Sequence, residues 1–390
     1  MKKKVLFLAG NIIKLDANPI KTYDMLFRVC PYLDNSILIA FVEPSLFCNN
    51  SIGIKKTFEK FNSIGIDFKI LPRLPLLMSL YIIIIIFLKR IEVIHAVGHS
   101  ATFLGVVAKL FTGRKLISDF GGIVPDERVN AGIWEKNSLK YKISKFLEKT
   151  AVEYCDHVLV VSNTFKAYFL ERYKINSIEV IPSCVNENRF IFDLEKRELM
   201  RNKFNLKDKL VVVFSGSFAP WDLSFEIISF FENLKKKINN IHFLILTPNK
   251  DRIWGMIMER GLKQDDFTII SLSFDEVPNY LLIGDVALLF RHNSIVHRVG
   301  SPMKFAEYLA CGLPIIGNDG LGELCQIVIN NRVGAIIDFD DKTKTEKIID
   351  DLLNILFHER ESLRQRCINI AIEQFSYKRF LNNYLNLYEY

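Results

Sequence analysis

The chain has 390 residues, 49% apolar and 24% charged, with 19 Gly and 12 Pro. This globular composition excludes wholesale disorder, a collagen-like repeat and a disulfide mini-scaffold, and at roughly 100–200 residues per domain it predicts two or three domains. The formal net charge of +7 is uneven: residues 1–185 carry 25 basic and 16 acidic side chains, and the remainder 26 and 28. The first half should therefore be drawn to something anionic, with phospholipid headgroups, a phosphorylated acceptor and nucleic acid as candidates.

A mean hydropathy of +0.16 leaves room for large cores or for apolar surface at a membrane. The seven cysteines (Cys30, Cys48, Cys155, Cys184, Cys311, Cys325, Cys367) form no C-x-x-C pair, a pattern that suits reduced thiols in a cytoplasmic protein. Lys2, Lys3 and Lys4 followed by VLFLAG superficially resemble a signal peptide. Asn11, Lys14 and Asp16 interrupt the apolar run and no A-x-A-like cleavage site follows, so a buried first strand is the better reading.

In chain order, short β-branched runs alternate with longer helical patterns. VLFLAG (5–10), SILIAFV (36–42), FKIL (68–71), VIHAV (93–97), KLISDF (115–120), HVLVVS (157–162) and IEVIP (178–182) read as buried parallel strands. LPLLMSLYIIIIIFL (74–88) is uncharged, bracketed by Arg73 and by Lys89 and Arg90, and too short for a bilayer span of about 20 residues. It reads as a buried crossover helix or as a helix in the membrane interface, although its consecutive isoleucines also favour a strand. WEKNSLKYKISKFLEKTAVEY (134–154) is an amphipathic helical pattern that carries Lys136, Lys140, Lys142, Lys145 and Lys149. These lysines suit a solvated face or attraction to an anionic bilayer. No nucleic-acid-binding module is recognised, so no nucleic-acid partner is expected.

A polar, charged stretch without strand pattern follows and reads as a linker over 186–208. A second strand series then runs LVVVFSG (210–216), IHFLILT (241–247), FTIISL (267–272), DVALLF (285–290), LPIIG (313–317) and GAIIDF (334–339). The expected organisation is an α/β chain of two doubly wound Rossmann-like domains, 1–185 and 209–372. A C-terminal helix over 373–390, rich in aromatic anchors, would pack back on the first domain.

The most informative segment is GSPMKFAEYLACGLPIIGNDGLGEL (300–324). Ser301 suits an N-cap, Pro302 the first helical position, Gly312 the residue past the C-cap, and Pro314 forbids continuation, so a helix is expected over 302–311. Its start, with Gly300 and Ser301, would present amides and a positive dipole end at the edge where such sheets bind phosphates. Lys304 adds a charge, and Glu307 on the same face could accept protons from a cis-diol such as a ribose. Taken alone, Lys304 and Glu307 read better as a surface ion pair on a capped helix.

The string S-P-x-K-x-x-E-Y-x-A-x-G-x-P resembles the donor-binding helix of the GT-B glycosyltransferases of family 4. VIHAVGHSA (93–101), VLVVSNTFKAYF (158–169), EVIPSCVNENRF (179–190) and VVVFSGSFAPWD (211–222) are similar to further parts of that family. The resemblance implies a retaining, metal-independent transferase with two domains facing a central cleft. The acceptor would lie in the N-terminal domain and a nucleotide-diphosphate sugar in the C-terminal one, as co-substrate with no other cofactor. It also implies a pair of glutamates eight positions apart; the second aligns with Glu307, but the first falls on Val299, which puts the sugar's identity in doubt.

Family members neutralise the leaving diphosphate with a basic pair, and the candidates here are Lys304 and Arg291. Gly216 and Ser217 could approach the same phosphates through backbone N–H groups. On the acceptor side, His99 and Asp119 stand at strand ends and could orient a hydroxyl or stabilise a sugar cation; Asp126, Glu127 and Arg128 are weaker candidates.

Three literal motif matches are discounted. DFD (338–340) reads as a helix cap rather than a metal site, GNDGLG (317–322) lacks dinucleotide-fingerprint spacing, and Lys235 to Lys237 end a helix. The reading is a transferase acting on a glycan or polyprenyl-diphosphate-linked acceptor in surface polysaccharide assembly, cytoplasmic, with peripheral contact at the inner face of the membrane. The rivals are a nucleotide-sugar epimerase or hydrolase on the same fold and a non-enzymatic two-domain sugar-binding protein.

Overall fold

The computed structural model describes residues 2–10, 24–42, 59, 61–72, 74–219 and 222–389. Cys48, Asn11, Lys14, Asp16, Arg73 and residues 220–221 of the sequence readings lie outside the described residues. The chain divides into two units, one of residues 1–182 with 377–390 and one of residues 183–376.

Among the described residues, unit 1 holds seven strands: β1 (Val5–Gly10), β2 (Ile37–Val42), β3 (Asp67–Pro72), β4 (Val93–Val97), β5 (Lys115–Phe120), β6 (His157–Val160) and β7 (Ile178–Val180). Their order is β3-β2-β1-β4-β5-β6-β7 and every pairing is parallel. Strands covered on both faces need unbroken apolar runs, and Val5, Leu6, Phe7 and Leu8 are all fully buried. The crossovers include α1 (Pro75–Lys89), α2 (His99–Thr112) and α3 (Leu139–Tyr154). The apolar stretch 74–88 is therefore a helix. The C-terminal helix Tyr377–Glu389 packs within this unit, where the Tyr388 hydroxyl lies 2.7 Å from His95 Nδ1 in the core.

Unit 2 has the parallel strands β8 (Leu210–Ser215), β9 (Ile241–Leu246), β10 (Phe267–Ile270), β11 (Val286–Leu289), β12 (Ile315–Asn318) and β13 (Gly334–Ile337), ordered β10-β9-β8-β11-β12-β13. The segment read as a linker belongs to this unit. Within it, α4 (Leu194–Lys203) is capped by Asp193, which accepts the Lys196 N–H at 2.9 Å.

The charge of α4 turns inward. Arg197 and Arg201, each 3% exposed, reach Asp285 at the entry of β11, with Arg197 Nη2 to Oδ1 at 2.6 Å and Arg201 Nη1 to Oδ2 at 3.1 Å. Asp285 Oδ2 also accepts the Val211 N–H at 2.8 Å, and Arg201 donates to the carbonyls of Ile283 and Leu206, both at 2.7 Å. Burial by itself would raise the Asp285 carboxyl, but the two guanidinium groups overcome it and hold the group below the usual range. Burial brings Arg197 down to about 10, against the pull of Asp285.

Asp285→Ala should cost about 3–5 kcal/mol of stability, because it leaves two guanidinium groups buried without their counter-ion. Asp285 is depressed in the folded state, so its contribution is complete above the unfolded carboxylate range near about 4 and is lost as pH falls through the folded value. Chemical denaturation across that window should show an acid loss of stability in the wild type that Asp285→Asn flattens; equal slopes would exclude this account.

Candidate functional site

In unit 2 the strand order reverses between β8 and β11, and ligands of doubly wound sheets bind outside the strand ends at such a point. Ser215, Gly216 and Ser217 leave β8 there, and Arg291 leaves β11. The helix α5 (Met303–Ala310) is fixed to this edge by Tyr308, whose buried hydroxyl accepts the Ser215 N–H at 2.8 Å and donates to the Ser215 carbonyl at 3.3 Å. Sequence reading did not single out Tyr308 for this. Burial holds its phenol well above the usual range, so the donated proton stays in place.

The ends of α5 differ in how well they were anticipated. Pro302, not Ser301, occupies the N-cap position, and no side chain caps the helix. Ser301 sits one residue too early, and its Oγ instead accepts the Ser183 N–H at 3.2 Å. At the other end Gly312, at φ +73°, bonds to the Leu309 carbonyl and Leu313 to that of Tyr308, both at 2.9 Å, as a Schellman motif requires. Leu313 and Pro314 lie between that turn and β12, which begins at Ile315.

Lys304 and Arg291 are brought into one cluster. The Lys304 ammonium ion-pairs with Asp222 Oδ1 at 2.9 Å, lies 4.7 Å from the Phe214 ring centroid, and passes so close to Gly216 that a Cβ there would stand 2.7 Å from Nζ. Arg291 is bridged to Asp222 through the backbone. Its N–H donates to Asn318 Oδ1 at 2.9 Å, and its carbonyl accepts from Asn318 Nδ2 at 2.8 Å. The guanidinium runs beside Gly300, where a Cβ would stand 3.3 Å from Nη1. Burial pulls Lys304 below the ordinary lysine range, and Asp222 works against that. Burial and then Arg291 push His297 down to about 4, leaving its ring neutral at pH 7.

Two glycines act differently from the expectation. The Gly216 N–H donates to the Leu246 carbonyl at 2.9 Å and the Gly300 N–H to that of His297 at 3.1 Å, so these amides are committed inside the fold. What both glycines supply is room for the two cationic side chains. The Ser217 carbonyl accepts from Asn249 Nδ2 at 2.5 Å, which pins the turn. Glu307 sits one turn along α5 from Lys304 and is buried; Val299 is fully buried in the core, a place unsuited to a second carboxylate. Asp222 escaped sequence reading because nothing in the local pattern pairs it with a lysine 82 positions away.

In unit 1, His99 opens α2, and its Nε2 lies 3.0 Å from Glu148 Oε2. Glu148 accepts from the Tyr173 hydroxyl at 2.6 Å and from Lys145, which also reaches Asp126 at 3.1 Å. Burial would raise the Glu148 carboxyl, but His99 and Lys145 hold it below the usual range. Lys145 is thus part of an internal network and not of the lysine face predicted for 134–154. Asp126 is likewise taken up by Lys145, Tyr141 and Tyr168. The Asp119 carbonyl accepts the Gly98 N–H at 2.8 Å. Phe120 packs edge-on against the His99 ring, with centroids 4.9 Å apart. Side chains alternate along a strand, so Asp119 turns to the other face, toward Tyr388, and the two acceptor-side candidates do not converge.

A doubly wound unit that gathers two cations beside a helix start at its strand-order reversal has the charge and placement that suit a phosphorylated ligand. Residues 196–374 match the family of glycosyl transferases group 1 and residues 43–189 match Glycosyltransferase Family 4. The chain belongs to this group 1, family 4 class of GT-B glycosyltransferases.

A curated relative, the GDP-mannose-dependent alpha-(1-6)-phosphatidylinositol monomannoside mannosyltransferase of Mycolicibacterium smegmatis, is 23% identical over 203 residues, 51% of this chain. The match spans about half of that relative, 53% of its length. Among solved structures, HepE of Anabaena in complex with UDP is similar over 98% of both chains, with a TM-score of 0.76 and 15% identity. A glycosyltransferase from Rickettsia africae is similar over 100% of this chain and 98% of its own, with a TM-score of 0.72 and 18% identity. At these identities the likeness establishes the fold.

Asp222 occupies the ammonium that a phosphate would seek. Asp222→Asn should lower the melting temperature of the free protein yet tighten a nucleoside diphosphate by about fivefold to tenfold, the effect of removing one nearby carboxylate. Titration calorimetry with UDP and GDP reads this directly, and weaker binding of both nucleotides in the variant would contradict it.

Proposed function

We propose that this protein transfers a sugar, with retention and without a metal, from a nucleotide-diphosphate sugar to a hydroxyl of a glycan or polyprenyl-diphosphate-linked acceptor in surface polysaccharide assembly. It would work at the inner face of the membrane as a peripheral protein. The observation that carries the reading is the convergence of Lys304 and Arg291 at the strand-order reversal of unit 2. An expelled nucleoside diphosphate gains negative charge in the transition state, and two positioned cations in a largely buried setting stabilise that charge.

In this reading Lys304 and Arg291 hold the diphosphate, the start of α5 adds its dipole, and Glu307 accepts from the ribose hydroxyls. The anomeric bond to the diphosphate oxygen breaks, the acceptor oxygen bonds that carbon, and the acceptor proton leaves with the diphosphate. His99, held by Glu148, and Asp119 belong to the acceptor side in unit 1. The name of the mycobacterial relative and the nucleotide bound to HepE support a nucleotide-sugar donor while differing in the base.

A thermal-shift screen of UDP-, GDP-, ADP- and CMP-linked sugars should single out one donor, because a ligand that binds only the native state raises the melting temperature by mass action. Glu307→Ala should reduce transfer from that donor by about a hundredfold, the loss of hydrogen bonds to a charged group, while circular dichroism stays that of the wild type. Near wild-type turnover in this variant would refute the assignment. Release of the nucleotide at full rate without acceptor would point to a hydrolase or epimerase instead.

A further inference from the structure

Unit 1 has a strand-order reversal of its own. Its chain lays β2 and β3 to one side of β1 and then crosses back to place β4 on the other side. Ligands of doubly wound sheets are met outside the strand ends at such a point, and His99 leaves β4 there. Gly98, at φ +83°, turns the chain: its N–H donates to the Asp119 carbonyl at 2.8 Å, and its carbonyl accepts the Thr102 N–H at 3.0 Å. This turn makes His99 the first residue of α2, with its ring edge-on against Phe120.

The two ring nitrogens of His99 have different surroundings. Nε2 meets Glu148 Oε2 at 3.0 Å, and the Glu148 side chain is fully buried. Nδ1 has no partner among the described residues, and 16% of the His99 side chain stays open. An ionised carboxylate can only accept, so a neutral His99 carries its proton on Nε2 and keeps a lone pair on Nδ1.

The far side of Glu148 fixes this polarity. Tyr173 and Lys145 both donate to Oε1, Tyr173 at 2.6 Å. Burial and then Glu148 hold the Tyr173 phenol well above the usual range, so its proton stays on. Burial would lower Lys145, but Glu148 outweighs it and keeps the ammonium above the ordinary lysine range. Asp126 accepts from Lys145 at 3.1 Å and from the hydroxyls of Tyr141 and Tyr168, so the ammonium has a second counter-ion. With Oε1 taken by two donors, Oε2 is the oxygen left for His99.

We propose that Glu148 is a positioning residue for acceptor binding: by taking the Nε2–H of His99, it leaves the Nδ1 lone pair to accept a hydrogen bond from an acceptor hydroxyl beside the one that reacts. The inference deepens the transferase reading and rests on it. The reacting hydroxyl gives its own proton to the departing diphosphate, so a neighbouring hydroxyl is the group that His99 orients.

Glu148→Gln tests this, because the network dictates what the amide must do. Its oxygen inherits Tyr173 and Lys145, its nitrogen then faces Nε2 as a donor, and the proton of the neutral ring moves to Nδ1. The readout is long-range nitrogen–proton NMR of the full chain with its histidine ring nitrogens isotope-labelled, at about pH 8.5, above the ordinary imidazole range. His99 is identified by the signals lost in His99→Ala. The wild type should show Nε2 protonated and Nδ1 bare, and Glu148→Gln the reverse.

Transfer is measured with the donor that the thermal-shift screen selects and with octyl glycosides as hydroxyl acceptors. Glu148→Gln should raise the acceptor KM about fivefold, the loss of one hydrogen bond, while kcat and the donor KM hold. His99→Ala should raise it to a similar degree, and the double variant no further. A merely structural Glu148 would lower kcat at unchanged KM through a smaller active fraction, or add its effect to that of His99→Ala. Either result overturns the proposal, as does a wild-type ring protonated on Nδ1. If Glu148→Gln fails to fold, the wild-type spectrum and an unchanged acceptor KM in His99→Ala can each still overturn it. Absence of transfer by the wild type with every donor and acceptor strikes the transferase reading instead, and the spectra then decide whether Glu148 sets the ring.

Discussion

A parallel strand must be covered on both faces, and this constraint decides where chemistry can occur in the chain. Once helices shield the sheet, a polar side chain within a strand must find its partner inside, as His95 does in Tyr388, and a ligand can be met only where strands end. Reversing the strand order opens a gap at that edge because neighbouring crossovers leave in opposite directions. In unit 2 the gap lies between β8 and β11. Tyr308 closes the arrangement by tying α5 to Ser215 through both the N–H and the carbonyl of that residue. The helix start is thereby aimed by a buried phenol, not by the helix's own capping.

Much of this was legible in the sequence. The β-branched runs marked the strands, with ends displaced by a few residues, because strands buried on both faces leave long apolar words. Gly312 and Pro314 marked the end of α5 because a left-handed residue and a missing N–H are local requirements. Several of the misreadings trace to partners distant in sequence. The stretch 186–208 looked like a linker because it is charged, yet Arg197 and Arg201 are there to meet Asp285 more than 80 positions later. Periodicity records that a residue is charged and does not record that its counter-ion waits inside. Gly216 and Gly300 were given amides to spend on a ligand, when sheet and helix pairing had already taken them.

The electrostatics of the site follow from the same economy of space. Lys304 is largely buried, which disfavours its ammonium, and Asp222 offsets that pull. A doubly charged phosphate group can compete for that cation with more charge than one carboxylate offers. Arg291 adds a second, planar cation to the cluster. With His297 neutral, its ring adds no charge beside Arg291.

Helix α3 carries the argument furthest from simple patterning. A helix on a water-soluble surface lowers its free energy by turning leucine, isoleucine and phenylalanine inward and lysine and glutamate outward. Here Glu148 is fully buried and satisfied by His99, Lys145 and Tyr173, while Phe146, two positions earlier, is 66% exposed. Burying a carboxylate is costly, and losing one of its partners costs on the order of 3–5 kcal/mol, so the three partners of Glu148 are what make its burial tolerable. The inward charges hold His99 in one orientation.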